Sequence, residues 1–430
     1  MTYQETCDYM FCQTANFEHQ GNTGYKPGLD SMLRLDDLYG HPHRSYRCIH
    51  VTGTNGKGSV SHTLAAVLQK CGYKVGLYTS PHLLDFSERI RIDGRPIDKD
   101  YVVRFVEEGR KHFDAIGSTF FEIATAMALK YFSDEHVDIA VIEVGLGGRL
   151  DSTNIIRPVL SVITNVSLEH TQILGNTVGE IAFEKGGIIK DHTPVVIGEA
   201  SAEARTVFES LARERHAPIR FADDEQEVTA AATTPDGCAI SYETAHWGAF
   251  TGQLTGDYQI RNTRTILCAV DELARQGIVS RQTACVGEAF ASVGSLTGLM
   301  ARWQKVADAP TVICDIGHNT AAWQNLGRQL QALKGGRLHI VFGMVGDKDY
   351  NSVLALAPKT ATYYFTQPST HRALPVAKLT EAARRLGLAG QSYSTVSEAF
   401  EAAKKAAAKS DFIFVGGSNY VVADFMKIGV

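Results

Sequence analysis

The residues with the clearest chemical potential lie in a glycine-rich loop, GTNGKGS, at positions 53–59. A β-branched run precedes it at 47–51, and a helical pattern follows to about Gly72. Glycines let backbone N–H groups approach phosphate oxygens, and a helix N-terminus adds positive potential. Lys57 could place its charge on the outer phosphates, and the Ser59 hydroxyl could ligate Mg²⁺. The loop is therefore interpreted as a phosphate-binding loop.

The spacing of this loop departs from the strict Walker pattern, because Gly58 separates Lys57 from Ser59 and residue 51 is not glycine. The alternative is an ordinary glycine-rich turn between a strand and a helix, with an exposed lysine. The loop lies between a predicted strand and a predicted helix, which is the context that a phosphate loop requires. This context favours the nucleotide-binding interpretation.

Two further candidates follow predicted strands. Glu143 ends the run DIAVIEV, and His170 follows the next run, 159–164. Ligands of parallel sheets gather at the carboxyl ends of the strands. Glu143 could hold a metal ion that bridges phosphates, or it could cap a neighbouring helix. His170 could ligate a metal or simply pack.

The elements that must position these residues alternate between short apolar strands and helical patterns, which predicts an α/β fold with parallel strands covered on both faces. Further predicted strands are 74–78, 138–144, 159–164, 311–315, 338–343, 362–366 and 412–417, and further predicted helices are near 320–333, 377–387 and 396–409. A glycine-rich stretch at 294–303 is interpreted as a linker. The predicted domains are 1–297 and 298–430, with a small antiparallel elaboration of the first near 220–255.

Composition limits the function further. The 430 residues are 44% hydrophobic and 21% charged, with a net charge of −5, so no broad basic field is expected for nucleic acid or for an anionic membrane. No apolar run approaches the ~18 residues that a membrane span needs. The first residues lack the features of a secretory signal. Eight scattered cysteines without a CxxC pair predict reduced thiols and a cytoplasmic protein, and argue against structural zinc.

Seven segments occur in an order that resembles one family. They are GTNGKGS at 53–59, YTSPHL at 78–83, EVGLGGRLDSTN at 143–154, the His170 segment, EKGGI at 184–188, GDYQIRN at 256–262 and DIGHN at 315–319. Together they resemble the folylpolyglutamate synthase/dihydrofolate synthase family of the Mur ligase superfamily, from Gly28 to the last strand. The ordered set is far more specific than any one of its members.

The resemblance implies a P-loop ATPase domain with a mostly parallel sheet, a smaller Rossmann-like α/β domain after it, and ATP held between them. It implies ATP contacts at Gly56, Lys57, Gly58, Ser59, Asn262, Arg302 and Asp315, and at His318, which adjoins that site. It implies two Mg²⁺ ions, with Ser59, Ser80, Glu143 and His170 as metal positions. By themselves, Ser80 resembles a turn residue and Lys185 a solvated lysine. In the family, Lys185 matches a carbamylated lysine, whose carbamate replaces a repelling ammonium with oxygen donors.

The resemblance also implies a dihydropteroate pocket formed by Gly24, Tyr25, Lys26 and Pro27, by Thr119, Phe120, Phe121 and Glu122, and by Leu150, Asp151 and Ser152. Phe120 and Phe121 could face a flat heterocycle, with packing in a strand core as the alternative. Two residues depart from the family pattern. Glu169 stands where aspartate is common, and Ile316 stands where glycine is usual, which affects the expected ribose contact.

The activity implied is ATP-dependent addition of L-glutamate to a folate or dihydropteroate carboxylate through an acyl phosphate. Lys57, Glu143, His170, Lys185 and Arg302 would be the catalytic residues, small molecules the only partners, and a monomer the expected state. Three other functions are compatible with a phosphate loop. A muramyl-peptide ligase would need a further domain, whereas only 52 residues precede Gly53. A P-loop kinase would release ADP without glutamate, and a non-catalytic nucleotide-binding module would bind ATP without turnover.

Overall fold

The computed structural model describes residues 1–14, 26, 28–234, 237–281 and 283–429. It divides into two compact units. Unit 1 comprises Met1–Ala232, Ile240–Gln253 and Gln259–Leu299, and unit 2 comprises Thr233–Ala239, Leu254–Tyr258 and Met300–Val430. The predicted domain boundary at 297/298 lies two residues before the main boundary between the units. The two short excursions into unit 2 have no counterpart in the sequence interpretation.

The strands are numbered in chain order. They are β1 Arg47–Thr52, β2 Val75–Tyr78, β3 Ile90–Ile92, β4 Arg95–Pro96, β5 Ile139–Glu143, β6 Leu160–Ile163, β7 Val195–Ile197, β8 Ile219–Phe221, β9 Val228–Thr233, β10 Ile240–Thr244, β11 Ala249–Gly252, β12 Gln304–Asp308, β13 Thr311–Asp315, β14 Leu338–Phe342, β15 Thr362–Phe365, β16 Gly390–Ser392 and β17 Phe412–Gly416.

The α-helices are numbered in the same way. They are α1 Tyr3–Asp8, α2 Asp30–Leu38, α3 Lys57–Lys70, α4 Lys99–Ile116, α5 Phe120–Asp134, α6 Thr171–Leu174, α7 Val178–Gly186, α8 Ala202–Glu214, α9 Gln259–Arg275, α10 Thr283–Ala291, α11 Val293–Thr297, α12 Thr320–Ala332, α13 Tyr350–Ala355, α14 Val376–Arg385, α15 Val396–Ala406 and α16 Asn419–Ile428. A π-helical turn at Tyr9–Gln13 follows α1, and short 3₁₀ turns lie at Pro42–Arg44, Phe86–Arg89 and Ser152–Ile155.

The central sheet of unit 1 has eight strands in the order β4-β3-β2-β5-β1-β6-β7-β8. Strands β2, β5, β1, β6, β7 and β8 run parallel, and β3 near one edge runs in the opposite direction, so that it pairs antiparallel with both β2 and β4. Because β2, β5, β1 and β6 are neighbours, the loops that follow their carboxyl ends leave the same edge of the sheet. The phosphate loop and the segments with Ser80, Glu143 and His170 all emerge there.

Helices cover both faces of this sheet, which explains the continuous apolar runs. In β5, Ile139 and Val141 belong to one apolar cluster, with α3, whereas Ala140 and Ile142 belong to a second cluster, with α5. Successive strand residues point to opposite faces, so a sheet buried on both sides requires apolar residues at every position. A separate three-stranded sheet, β11-β10-β9, carries the predicted antiparallel elaboration, and β10 pairs antiparallel with β11.

Unit 2 has a six-stranded sheet in the order β12-β13-β17-β14-β15-β16. It is parallel except for β12, which pairs antiparallel with β13 at one edge. Trp323 on α12 and Phe342 on β14 are fully buried in its core. Together the two mostly parallel sheets confirm the predicted α/β class and its smaller C-terminal α/β part.

Most predicted strands agree with the structure to within one residue at each end, while several helical details differ. The stretch 294–303 is not simply a linker, because α11 occupies Val293–Thr297. Helix α3 begins at Lys57 rather than after it and ends with Cys71 as C-cap, so Gly72 is the next residue, in the left-handed region at φ +89°. Within the described residues, no helix combines the length and apolar character that crossing a membrane requires.

Candidate active site

The loop after β1 has the geometry of an anion-binding turn. Gly56 is the N-cap of α3 and adopts a left-handed backbone, with φ 86°. Gly53, at the start of the loop, has φ 149°, and a Cβ there would lie 1.9 Å from the Thr164 hydroxyl oxygen. Lys57 Nζ donates to the carbonyl oxygens of Gly53, at 3.0 Å, and Thr54, at 3.3 Å. The lysine therefore lies directly over the loop, which leaves no room for a Cβ at Gly53 and has a left-handed backbone that favours glycine at Gly56.

A second loop, after β6, holds the phosphate loop in place. The Asn165 side chain accepts from Asn55 N at 3.0 Å and donates to Asn55 O at 2.9 Å. Thr164 Oγ1 also donates to Asn55 O, and Ser167 N donates to Thr54 Oγ1 at 3.1 Å. Sequence reasoning missed this support, although the segment TNVS directly precedes the His170 motif.

The start of α9 packs against the same loop. Gln259 Nε2 donates to Ser59 Oγ at 3.1 Å, and Asn262 Nδ2 donates to Gln259 Oε1 at 2.8 Å. A Cβ on Gly56 would lie 2.4 Å from Asn262 Oδ1. The structure thus brings Asn262 next to Gly56. It also brings Gln259, another residue of the GDYQIRN motif, into contact with Ser59 of the phosphate loop.

The metal candidates combine two hydroxyls, a carboxylate and an imidazole. Ser59 and Glu143 are buried, at 1% and 3% exposure, whereas Ser80 and His170 are half-buried. In the part of the chain that is described, no three His, Cys, Asp or Glu side chains form a group that could hold a metal. Mg²⁺ needs no such group, because it is commonly bound through one or two carboxylates, substrate phosphates and water. One buried carboxylate and hard hydroxyl oxygens beside a phosphate loop fit that ion.

Lys185 lies on α7 and is 4% exposed, not solvated. Burial is the main cause that lowers the pKa of its ammonium to about 7, with a further contribution from the nearby positive charge of Lys57, while Glu169 and Asp151 oppose the shift. An amine with this pKa is about half neutral at pH 7, and the neutral amine is the form that adds CO₂. The structure thereby brings Lys185 within electrostatic reach of three residues of the candidate site.

Asp151 is buried and organises the loop that follows β5. Its carboxylate accepts from Leu146 N at 2.9 Å, from Thr153 N at 3.0 Å and from Thr153 Oγ1. Burial raises the pKa of Asp151, and these hydrogen bonds oppose the rise. His50 on β1 reaches the same Thr153 hydroxyl at 2.9 Å. Ser152 begins the 3₁₀ turn that Asp151 caps, and Leu150 is half-buried beside it.

The segment TFFE begins helix α5 and is not part of a strand, which corrects the strand-core alternative. Thr119 is the N-cap, and Thr119 and Glu122 form a reciprocal capping box. Phe120 is 1% exposed and stacks on Phe11, with ring centroids 4.5 Å apart. Phe121 is half-buried, and its ring lies 2.4 Å from where a Cβ on Gly145 would stand. Of the two rings, Phe121 is therefore the one next to the loop after β5.

Only Lys26 of the first substrate segment is described. Its Nζ donates to Ser31 Oγ at 2.6 Å and to Gly117 O at 3.0 Å. Gly24, Tyr25 and Pro27 lie outside the described residues.

In unit 2, the candidates Arg302, Asp315 and His318 lie on adjoining segments. Asp315 ends β13 and is 3% exposed, with a pKa that burial raises. Its carboxylate accepts hydrogen bonds from Tyr258 Oη and from the backbone of Trp303 and Gly317. His318 Nδ1 lies 3.1 Å from Ile316 O, and Arg302 Nη1 donates to Ala301 O at 3.4 Å. Three of the predicted nucleotide contacts are thus neighbours in one unit.

Comparison with known proteins shows two family matches that correspond to these two parts of the chain. Residues 51–270 match the Mur ligase middle domain, and residues 301–419 match the Mur ligase, glutamate ligase domain. The fold and the site therefore define a Mur-type ligase. The dihydrofolate synthase/folylpolyglutamate synthase of Bacillus subtilis is 32% identical over 418 residues, which are 94% of this chain and 95% of that protein. The chain belongs to the folylpolyglutamate synthase/dihydrofolate synthase family of the Mur ligase superfamily.

Other relatives support this membership. The Haloferax volcanii probable bifunctional folylpolyglutamate synthase/dihydropteroate synthase is 33% identical over 438 residues, 99% of this chain, although the chain spans only 50% of that protein. The solved structure of E. coli FolC in complex with DHPP and ADP has a TM-score of 0.84 and 28% identity, covering 100% of this chain and 97% of that one. Mycobacterium tuberculosis folylpolyglutamate synthase complexed with ADP and AMPPCP has a TM-score of 0.83 and 30% identity, covering 94% and 96%.

Proposed function

We propose that this chain is an ATP-dependent ligase that adds L-glutamate to the carboxylate of a folate or dihydropteroate. The observation that carries the proposal is the loop at 53–59, where Lys57 lies over a glycine turn that Asn262 and Asn165 hold in shape. Two relatives have solved structures with bound ligands, one with DHPP and ADP and the other with ADP and AMPPCP. A triphosphate and a pteridine acid are therefore the substrates to test.

The proposed reaction joins a carboxylate to an amine in two steps. A carboxylate oxygen attacks the γ-phosphorus of ATP, and ADP leaves with the electrons of the broken P–O bond. The amine of glutamate then attacks the acyl carbon, and phosphate leaves as the amide forms. The protein contributes positioning and charge neutralisation, as in other phosphoryl transfers. Lys57 and the backbone N–H groups at the start of α3 would hold the phosphates, and Arg302 would supply further positive charge.

Ser59, Ser80, Glu143 and His170 would hold Mg²⁺, which would neutralise phosphate charge when bound. Two ions and a carbamate on Lys185 are part of the proposal. The lowered pKa of Lys185 supports the carbamate, because the ε-amine must lose its proton before it can form a bond to CO₂. Asp151 and Phe121, which adjoin the loop after β5, would contribute to the pteridine pocket together with the segment at 24–27. A cytoplasmic monomer without nucleic acid or membrane partners completes the proposal, and none of the eight cysteines, all of which lie within the described residues, forms a disulfide.

The decisive experiment follows ADP release with Mg-ATP, a pteridine acid and L-glutamate, omitting each in turn. Dihydropteroate and tetrahydrofolate are assayed side by side, because their ratio separates the two activities of the family. We expect ADP release to need both the acid and glutamate, and ¹⁸O from the acid to appear in phosphate. ADP release that is independent of glutamate would indicate a kinase, and ATP binding without turnover would indicate a binding module.

A further inference from the structure

His50 is a polar side chain that lies completely inside the apolar interior of unit 1. It belongs to β1, an inner strand of the central sheet, and its exposure is 0%. Burial lowers the pKa of its ring to about 3, so the imidazole is neutral near neutrality and carries a single proton. Buried polar groups are normally hydrogen-bonded, because an unpaired one is costly. The partner of this ring therefore indicates what the histidine contributes.

The partner of the His50 ring is the hydroxyl of Thr153. His50 Nε2 lies 2.9 Å from Thr153 Oγ1, although the two residues are 103 positions apart in the chain, and Thr153 is also completely buried. The same hydroxyl is hydrogen-bonded to Asp151 Oδ1. Among the described residues, His50 Nδ1 has no hydrogen-bond partner. The three side chains thus form a hydrogen-bonded chain that starts at the imidazole and ends at a carboxylate of the proposed pteridine pocket.

The direction of the hydrogen bonds in this chain follows from the carboxylate of Asp151. Two backbone N–H groups donate to it, that of Thr153 to Oδ1 at 3.0 Å and that of Leu146 to Oδ2 at 2.9 Å. Donors on both oxygens favour the ionised carboxylate, which can only accept. The Thr153 hydroxyl must then donate to Asp151, so its oxygen accepts from His50. The imidazole proton is consequently on Nε2, and Nδ1 carries a lone pair.

We propose that His50 is a positioning residue for pteridine binding, which acts by fixing the Thr153 hydroxyl as a donor to Asp151 and so holds that carboxylate ionised and in one orientation. This rests on the proposed function, in which Asp151 contributes to the pteridine pocket. A pteridine ring carries N–H and amino donors, and an ionised carboxylate is the stronger acceptor for them. Burial alone would favour the neutral acid, so the donors around Asp151 are needed to oppose it.

The first test locates the imidazole proton directly. The full chain is labelled with ¹⁵N-histidine, and the ring nitrogens of His50 are observed near neutral pH by ¹H–¹⁵N correlation spectra, in which the signal missing from His50→Gln assigns the residue. We expect a neutral ring with its proton on Nε2. A proton on Nδ1 would mean that Thr153 donates to the histidine and that a protonated Asp151 donates to Thr153, which would overturn the proposal. A charged imidazolium would overturn it as well.

The second test compares the KM values for dihydropteroate and tetrahydrofolate with the KM for ATP in matched variants. Thr153→Val removes the hydroxyl and should raise the KM for the pteridine acid about tenfold, the scale of one hydrogen bond to a charged group. Thr153→Ser keeps the hydroxyl and should stay near the wild type. His50→Met should raise the same KM about fivefold, through the lost polarisation of the chain.

His50→Gln is the rescue variant, because its amide can place an N–H close to the position of Nε2. We expect it to restore the KM for the pteridine acid, while the KM for ATP stays unchanged in every variant of His50 and Thr153. The double variant His50→Met/Thr153→Val should match Thr153→Val alone, because both changes act through one hydroxyl. Losses that multiply, equal losses for ATP, or no recovery in His50→Gln would each overturn the proposal.

His339→Met is the matched control for a buried strand histidine, because His339 lies on β14 in unit 2, is 3% exposed and has Nδ1 3.0 Å from the hydroxyl of Tyr364. We expect it to lower Tm without changing either KM. If it raised the KM for the pteridine acid as much as His50→Met, the effect would be one of general stability and the proposal would fail. Failure of the proposed function would be distinct, since the wild type would then show no glutamate-dependent ADP release, whereas the spectra would still locate the proton of His50.

Discussion

Two lysines five positions apart, Lys185 and Lys190, illustrate how burial creates reactive groups. Lys185 and Lys190 both lie in the segment EKGGIIK, and burial lowers their pKa values to about 7 and about 8. Their surroundings differ. Lys185 lies near Lys57, Glu169 and Asp151, whereas Lys190 Nζ donates to Asn154 O at 2.8 Å. The lowered pKa of both lysines follows mainly from desolvation. Their different neighbours indicate that only Lys185 belongs to the candidate site.

The Lys185→Ala variant tests the carbamate. We expect at least a hundredfold loss of kcat, because the variant lacks the carbamate oxygens, and partial recovery when a short carboxylate such as acetate is added. Steady-state ligase assays over a range of acetate concentrations measure this. Lys190→Ala is the matched control, and it should keep most activity and gain nothing from acetate. Full activity of Lys185→Ala without acetate would remove the carbamate from the mechanism.

Lys185 also predicts a dependence of stability on pH. Its pKa is about 7 in the folded chain and near 10.5 when unfolded, so the unfolded state binds more protons between these values. The free energy of unfolding should therefore rise from pH 7 to pH 10, by up to about 1.4 kcal/mol per pH unit from this group. Denaturation in CO₂-free buffer, compared with Lys185→Met, isolates the contribution. Parallel profiles for the two proteins would contradict the assigned burial.

At the scale of elements, helix α3 connects the core to the candidate site. Its middle residues, such as Leu64 and Leu68, are completely buried, and its N-terminus carries the phosphate loop. Glycines with left-handed backbones stand at both ends of this helix. Gly56 has φ +86° and Gly72 has φ +89°, but only a Cβ at Gly56 would meet another atom, Asn262 Oδ1. The helix thus offers two similar backbone positions with different surroundings.

Substituting each glycine separates backbone strain from contact. Gly72→Ala should cost about 1 kcal/mol of stability, the ordinary cost of a left-handed residue with a Cβ, and keep its activity. Gly56→Ala should lower the free energy of unfolding by a similar or larger amount. It should also raise the KM for ATP at least tenfold, because the added methyl group displaces the Asn262 side chain. Thermal unfolding and ATP titration of kcat measure the two effects. An unchanged KM for Gly56→Ala would show that this contact has no part in nucleotide binding.

At the scale of the whole molecule, the two units have separate apolar cores, yet the chain passes between them several times. The segment Leu254–Tyr258 belongs to unit 2, and Gln259, the next residue, belongs to unit 1. Tyr258 consequently donates to Asp315, while Gln259 donates to Ser59. The single motif GDYQIRN therefore contributes one residue that contacts Asp315 in unit 2 and another that contacts Ser59 in unit 1.

Ligand binding should be visible as a stability change of the whole protein. Mg-ATP at about 100 times its Kd should add about 2.7 kcal/mol to the free energy of unfolding, because only the folded state binds it. Lys57→Ala should lose most of this gain. Lys70→Ala, at the opposite end of α3, where Lys70 Nζ pairs with Glu288 at 3.2 Å, should keep it. Thermal shift with and without Mg-ATP provides the measurement, and equal gains in all three proteins would place the triphosphate elsewhere.

The amino-acid sequence by itself determined the α/β class, eight of the fourteen strands of the two large sheets and the glycine-rich loop between β1 and α3. These features are local, because strand runs, glycine turns and helix starts are set by neighbouring residues. Family resemblance, not spacing, pointed to Lys185, Asn262 and Asp315. Nothing in the residues around Lys185 indicates that it is buried.

The tertiary structure alone decided which distant residues meet. It showed that Asn165 holds Asn55, that Tyr258 donates to Asp315, and that TFFE starts a helix. These contacts join segments tens to more than a hundred residues apart, and their formation depends on how sheets and helices pack. Hydrogen bonding and desolvation depend on that packing, so neither the environment of Lys185 nor the engagement of Asp315 could be obtained from periodicity or composition.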